Sequence, residues 1–186
     1  MILPGDTIIC ADSGYDHALR MGIKPDLVLG DMDSVRHEPA CEKVERFPAE
    51  KDWTDTELAV RTAVSQGFTT LLLLAASGSR WDHMLANFLL LEPLQAQGIQ
   101  AEIANEYNRM TLITEQIALH GQLGELVSLV PITCCTGVTT QGLYYPLQQE
   151  TLPPGTSRGV SNYFVTPNAS VSLSTGKLLV IQSKDR

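Results

Sequence analysis

Six of the aspartates in this 186-residue chain fall into four short clusters in its first half. Asp12 lies in Ala11-Asp12-Ser13-Gly14, and Asp31 and Asp33 lie in Gly30-Asp31-Met32-Asp33-Ser34. Asp52 and Asp55 belong to Lys51-Asp52-Trp53-Thr54-Asp55, and Asp82 to Gly78-Ser79-Arg80-Trp81-Asp82-His83. Brought together, such carboxylates repel one another unless a cation sits among them. Magnesium fits, because it takes oxygen ligands, keeps several waters and needs only one or two carboxylates beside phosphate oxygens. In an extended segment Asp31 and Asp33 point the same way and Met32 the other, a spacing suited to one shared ion. Arg80 offers a planar fork for phosphate oxygens. Gly78 and Ser79 precede a helix start, where backbone N–H groups and the helix dipole favour phosphate. Lys51 suits either a phosphate contact or an ion pair. Taken singly, each feature has a plainer reading. Asp12 could cap a helix, Asp31-x-Asp33 could be a solvated turn, and Asp55 and Asp82 could be first-turn acids favoured by the dipole. Their joint placement is what points to metal-assisted polyphosphate chemistry.

The elements that must position these residues alternate through the first hundred positions. Thr7–Ala11 and Leu27–Leu29 read as short strands, with a helix from Ser13 to Met21 between them, stopped by Gly22. Val44–Phe47 reads as another strand. Thr54 and Glu57 have capping-box spacing and open a helix that runs to Gln66. Thr69–Ala76 is a continuous apolar run, as expected of a strand covered on both faces. A helix from about Ser79 to Gln97 follows, with Pro93 as its kink, and then a strand at Ala101–Ala104. Strands alternating with helices predict a mostly parallel α/β sheet, and ligands of such sheets bind at the carboxyl ends of the strands. Every acidic cluster falls at such an end. Beyond Asn105 no helix pattern recurs. Short runs at Met110–Ile113, Leu126–Val130, Val138–Thr140, Gly142–Tyr145, Ser170–Leu173 and Leu178–Gln182 predict an antiparallel β-sandwich. The expected domains are 1–108, α/β, and 109–186, all β.

The net charge is −8 and the pI about 4.9, so the chain has no electrostatic footprint for nucleic acid or an anionic membrane. No apolar run approaches a bilayer span, and the start shows no signal peptide. The expected location is the cytoplasm. Cys10, Cys41, Cys134 and Cys135 form no CxxC pair, and the apolar runs around Cys10 and Cys134-Cys135 predict buried thiols. There is no Walker A motif and no GxGxxG.

The four aspartate motifs resemble successive motifs of the thiamine pyrophosphokinases. They are Ala11–Gly14, Gly22–Ser34, Lys51–Glu57 and Gly78–His83 with Ala86-Asn87. Ser128–Pro131, Thr140–Leu147 and Arg158–Asn162 are similar to that family's second-domain segments, so the likeness spans nearly the whole chain. The resemblance implies an α/β ATP- and magnesium-binding domain followed by a β-sandwich that binds thiamine and dimerises. It implies a homodimer whose active site lies between the α/β domain of one subunit and the sandwich of the other. By motif, Asp31 and Asp33 would bind magnesium, with Asp12 and Asp55 in the metal–phosphate network. Ser13, Gly14, Lys51, Asp52, Thr54, Gly78, Ser79 and Asn87 would serve the nucleotide. Arg80 and Asp82 would meet the diphosphate or the reacting hydroxyl, and Asp55 or Asp82 would take its proton. Ser161 and Asn162 would lie at thiamine, with Tyr163 or Phe164 stacking on its pyrimidine ring.

The sequence departs from that family in two respects. Members usually carry one more strand ahead of the Thr7–Ala11 run, which bears on one sheet edge and part of the nucleotide site. Ser13 and Tyr15 stand where the family often has glycine and a small residue. Two rival readings are another magnesium-dependent phosphotransferase or phosphohydrolase, and a non-catalytic thiamine- or nucleotide-binding protein.

Overall fold

The computed structural model describes every residue except 1, 34, 42, 49, 185 and 186. Its first compact unit is residues 1–71 and 75–90. Here β1 (Ile9–Ala11), β2 (Leu27–Gly30) and β3 (Val44–Arg46) form a parallel sheet in the order β1-β2-β3. Helix α1 (Gly14–Arg20) follows β1, and α2 (Asp55–Ser65) follows β3. All four residues of β2 are buried. Side-chain alternation explains why. Val28 packs with Cys10, Tyr15 and Ala18 on one face, while Leu27 and Leu29 pack with Leu58 of α2 on the other. The α2 start follows its capping signal, since Thr54 Oγ1 accepts the Glu57 N–H at 3.2 Å.

The Thr69–Ala76 run departs from expectation. Strand β4 (Thr70–Leu74) does not join the parallel sheet but forms the edge of a six-stranded sheet, and of its residues only Leu73 is buried. Leucine content made it look like a doubly covered strand, but an edge strand needs no such cover. The long helix is also two helices, α3 (Trp81–Leu89) and α4 (Leu91–Ala96). Pro93 explains the break one turn earlier than itself: it has no N–H to give, and its ring would strike the carbonyl of Leu89 in a continuous helix. It sits instead in the first turn of α4, where a missing donor is harmless.

The second unit is Leu72–Leu74 and residues 91–186. It contains β5 (Gln100–Ala104), β6 (Asn108–Ile113), β7 (Gln116–His120), β8 (Leu126–Pro131), β9 (Cys135–Gln141), β10 (Glu150–Leu152), β11 (Asn162–Tyr163), β12 (Asn168–Ser172) and β13 (Leu178–Ser183). One sheet runs β11-β8-β13-β6-β5-β4 and the other β10-β9-β12-β7. Pairing from β5 onward is antiparallel. Val127, Leu129, Leu178 and Val180 of the first sheet share one core with Leu119, Val138, Leu152 and Val171 of the second. The continuous part of this unit begins at Leu91, since β5 pairs with β6 and α4 packs on both. The Gly142–Tyr145 run is not a strand; Leu143 makes a single bridge to Phe164. The cysteines are free, with Cys10 and Cys135 buried and Cys41 half-buried. Cys134 is exposed, because neighbours in an extended segment face opposite ways and Cys135 takes the core side. Among the described residues no helix is long and apolar enough to cross a membrane.

Candidate active site

The parallel register places the first two acidic motifs side by side. Ala11 lies opposite Leu29, and Asp12 N donates to Leu29 O at 2.8 Å. Asp12 and Asp31 therefore leave neighbouring strands at the same edge. Both exits turn sharply: Asp12 has φ 45° and Met32 φ 67°. A left-handed non-glycine residue costs on the order of 1–3 kcal/mol and tends to occur where function fixes the backbone. The Met32 turn corrects the expectation of an extended Asp31-x-Asp33. The two aspartates are instead joined by a local turn, in which Asp33 N donates to Asp31 Oδ1 at 3.1 Å. Met32 packs with the cluster of Cys10, Tyr15, Ala18 and Val28.

One carboxyl oxygen from each of Asp12, Asp31 and Asp33 lies within 4.8 Å of the other two. Asp12 Oδ1 is buried with no hydrogen-bond partner among the described residues. Asp55, at the first turn of α2, joins them through Lys51. The Lys51 ammonium lies 3.0 Å from Asp55 Oδ1 and 3.6 Å from Asp31 Oδ2, and it donates to Pro48 O at 3.2 Å. Asp55 Oδ1 is buried, and this contact is an ion pair rather than a well-aligned hydrogen bond. Gly30 forms the floor. A Cβ there would stand 3.1 Å from Asp55 Oδ1 and 3.2 Å from Asp12 Cβ, at a backbone φ of 143° that side chains disfavour.

The electrostatics follow from these contacts. The Asp33 N–H, then the Asp33 side chain and Lys51, hold the Asp31 carboxyl below the usual range, against the opposing effect of burial. Burial pulls the Lys51 ammonium down, but Asp55 and Asp31 together hold it above its ordinary value. Both partners thus stay charged. Oxygen-only donors, a buried acceptor without a donor and a net excess of negative charge suit a hard divalent cation.

Helix α1 anchors the loop that carries Asp31 and Asp33. Asp16 Oδ2 accepts the Arg36 N–H at 3.0 Å, and Asp16 Oδ1 pairs with His37 Nδ1 at 2.9 Å. The His37 hydrogen bond, and after it the Arg36 N–H, hold the Asp16 carboxyl below its ordinary value. Tyr15, 2% exposed, accepts the Ala40 N–H at its hydroxyl at 2.8 Å. The departure at Tyr15 therefore fills the core under the site and ties down this loop. Ser13 is the N-terminal residue flanking α1 but makes no side-chain cap; Gly14 begins the helix.

The other motif residues do not all reach this cluster. Asp52 is exposed, and Thr54 is the α2 cap. Gly78, Ser79, Arg80 and Asp82 are exposed, and Arg80 pairs with Asp82 at 2.6 Å. The Arg80 hydrogen bond, and after it the His83 N–H, lower the Asp82 pKa to about 2. Asp82 follows β4, a strand of the six-stranded sheet, and its partner among the described residues is Arg80. Asn87 is buried and donates to Ala76 O at 2.9 Å, fixing the chain just after β4.

In the second unit Ser161 is exposed at φ 61°, with its N–H on Ser128 Oγ at 3.0 Å. Asn162 is buried and its amide is committed. Its Oδ1 accepts from Tyr145 N and Tyr163 N, each at 2.9 Å, and its Nδ2 donates to Tyr145 O at 2.8 Å. This clamp presents three tyrosines. Tyr144 stacks on Tyr163 at 4.7 Å between ring centroids, and Tyr145 stands edge-on to Tyr144 at 4.8 Å. Tyr144 and Tyr145 are more than half exposed. Phe164 is 1% exposed and belongs to the core. Tyr144 and Tyr145 lie in a run with a strand-like pattern, and the signal for their exposure is an aromatic pair between Gly142 and Pro146.

A family model described as the thiamin pyrophosphokinase catalytic domain matches residues 4–103, and one described as the thiamin pyrophosphokinase vitamin B1 binding domain matches residues 114–180. The thiamine pyrophosphokinase of Bacillus subtilis (strain 168) is 27% identical, over 95% of this chain and 87% of that protein. A crystal structure of a thiamin pyrophosphokinase family protein from Enterococcus faecalis superposes with a TM-score of 0.89 at 29% identity, covering 100% of this chain and 93% of its own. The thiamin pyrophosphokinase of Geobacillus thermodenitrificans gives 0.84 at 26% identity, covering 99% and 89%.

Proposed function

The chain belongs to the thiamin pyrophosphokinase family, and from that premise we infer how its residues share the work. The reaction is that of a thiamine pyrophosphokinase: the diphosphate of ATP passes to the hydroxyl of thiamine, giving thiamine diphosphate and AMP. One observation carries the reading to particular residues. It is the convergence of Asp12, Asp31 and Asp33 within 4.8 Å, beside Lys51 and Asp55. Asp31 and Asp33, with Asp12, would hold a magnesium ion. Such an ion would supply positive charge to offset that of the polyphosphate.

The chain's own task is alignment and charge stabilisation. Asp55 and Lys51 border the polyphosphate, and Ser13, Gly14, Asp52, Thr54 and Asn87 shape the nucleotide site. Arg80 exchanges Asp82 for phosphate oxygens, with the Gly78 and Ser79 amides beside it. An acceptor for the hydroxyl proton works best with a pKa near the working pH. Asp55 or Asp82 supplies that acceptor. Tyr144, Tyr145 and Tyr163 offer the aromatic face for thiamine, Asn162 holds them, and Ser161 adds a hydroxyl. The working form is a cytoplasmic homodimer in which residues 1–108 of one subunit and 109–186 of the other complete each site.

The test is AMP release from ATP with magnesium, with and without thiamine. We expect thiamine-dependent AMP, and its loss by at least about a hundredfold in Asp31→Ala or Asp33→Ala. Full activity in both variants would sink the metal assignment, and ADP as product would mean a different transfer.

A further inference from the structure

Lys51 is unusually enclosed for a lysine, with its side chain 13% exposed. Its ammonium has three donors, and the chain supplies three oxygens around it: Pro48 O, Asp55 Oδ1 and Asp31 Oδ2. The two carboxylate contacts are ion pairs rather than hydrogen bonds, so charge holds the ammonium between them. Asp31 is also a member of the trio with Asp12 and Asp33. One carboxylate therefore serves two cation positions. The two contacts of Lys51 are unequal, 3.0 Å to Asp55 and 3.6 Å to Asp31, so the Asp31 contact is the easier to release. Lys51 lies ahead of α2, whose first residue is Asp55, and so is not held by helix geometry. Four aspartates and one lysine leave this cluster strongly negative, and a divalent ion entering it competes with the ammonium for Asp31.

We propose that Lys51 is a built-in counter-ion: it holds the carboxylate cluster together before a divalent cation binds and is displaced from Asp31 when one does. The inference rests on the reading of Asp12, Asp31 and Asp33 as the cation's ligands. Its consequence is an order of events. Arrival of the cation frees an ammonium beside the cluster, where it can turn to a polyphosphate. Without the cation that donor stays masked, so the nucleotide meets a complete set of positive groups only after the metal is in place. Lys51 is thus a positioning residue for the cation as well as a phosphate contact.

The measurement is binding of Mn²⁺ without nucleotide, by calorimetry and by the electron paramagnetic resonance of the free ion. Lys51→Met should bind Mn²⁺ about tenfold more tightly than the unchanged chain, and Lys51→Arg within about threefold of it, as expected when a competing charge is removed or kept. Lys51→Met should also melt lower without Mn²⁺ and recover when it is saturating. Affinity in Lys51→Met that is unchanged or weaker overturns the proposal. A second measurement needs no variant: the side-chain ¹⁵Nζ signal of Lys51 in the unchanged chain should shift on saturation with Mg²⁺. A signal that stays in place overturns it as well. If the unchanged chain binds neither ion, the underlying ligand reading fails, which Asp33→Asn tests separately by its loss of Mn²⁺ binding.

Discussion

At Gly30 the backbone of β2 passes directly beneath Asp12 and Asp55, and a side chain there has no place to go. The nearest heavy atoms to a Cβ would be Asp55 Oδ1 at 3.1 Å and Asp12 Cβ at 3.2 Å, on a backbone at φ 143°. Gly30→Ala should therefore lower divalent-ion affinity and activity by at least about tenfold, for a stability loss of on the order of 1–3 kcal/mol. Mn²⁺ titration beside a urea melt checks both. An unchanged affinity would mean the cluster is not built on this glycine. Asp82 gives a second residue-scale prediction. Its pKa is near 2, chiefly through the Arg80 hydrogen bond. A depressed carboxylate pKa adds stability that is present above the unfolded value, near 3.8, and is lost as pH falls towards 2. In Arg80→Gln the Asp82 carboxyl should titrate closer to 3.8, followed by carboxyl ¹³C NMR. The difference in acid stability between the two proteins should then vanish by about pH 2. Both side chains are more than 60% exposed, so solvent screens the pair and its effect on stability at neutral pH is small.

Among the elements, α1 does more than follow β1. Through Asp16 it holds Arg36 N and His37, and through Tyr15 it holds Ala40 N. These contacts fix the loop that leaves Asp31 and Asp33. Tyr15→Phe keeps the buried ring and removes the acceptor of the Ala40 N–H. We expect a loss of about 1–2 kcal/mol in urea denaturation, with a weaker hold on Mn²⁺ as the loop loosens. A variant matching the unchanged chain in both would show that the ring alone suffices. In the second unit the short strand β11 has a similar role, since Asn162 at its start grips both backbone groups of Tyr145. The exposed tyrosines owe their arrangement to a buried amide one residue from the exposed Ser161.

For the whole molecule, the proposed division of each site between two subunits makes a prediction that no single-chain site shares. Asp31→Ala disables the carboxylate cluster, and Tyr145→Ala disables the aromatic face. Each variant alone should be nearly inactive. Random mixing of the two in a homodimer gives half mixed pairs, each with one intact site of two, and so about a quarter of full activity. Measuring AMP release after co-refolding or co-expression checks this. No recovery would place the complete site within one chain. The net charge of −8 bears on the same scale. The field that disfavours bare polyphosphate draws a divalent cation to the acidic cluster.

Local signals in the chain account for the motifs, the alternation of strand and helix in the first half, the change to strands alone after residue 105, and the family resemblance. They are a cap at Thr54, apolar runs with the right period, glycines at turns, and acidic residues just past strand ends. The tertiary structure decided what depends on partners far apart in the chain. Strand β4 carries a local signal for burial, yet its sheet was set by its neighbour β5, which pairs in turn with β6. Asp31 and Asp33 meet through a left-handed turn at Met32 rather than by strand alternation, because that side chain goes into the core. The motif around Asn162 points to a candidate thiamine contact, but its committed hydrogen bonds and the tyrosine cluster it supports depend on packing. Asp12, Asp31 and Asp33 gather at one sheet edge with Asp55 tied in through Lys51, and Asp82 pairs with Arg80. Spacing along the chain could place carboxylates at strand ends. Which strands lie side by side, and which lysine reaches between them, is settled only by packing.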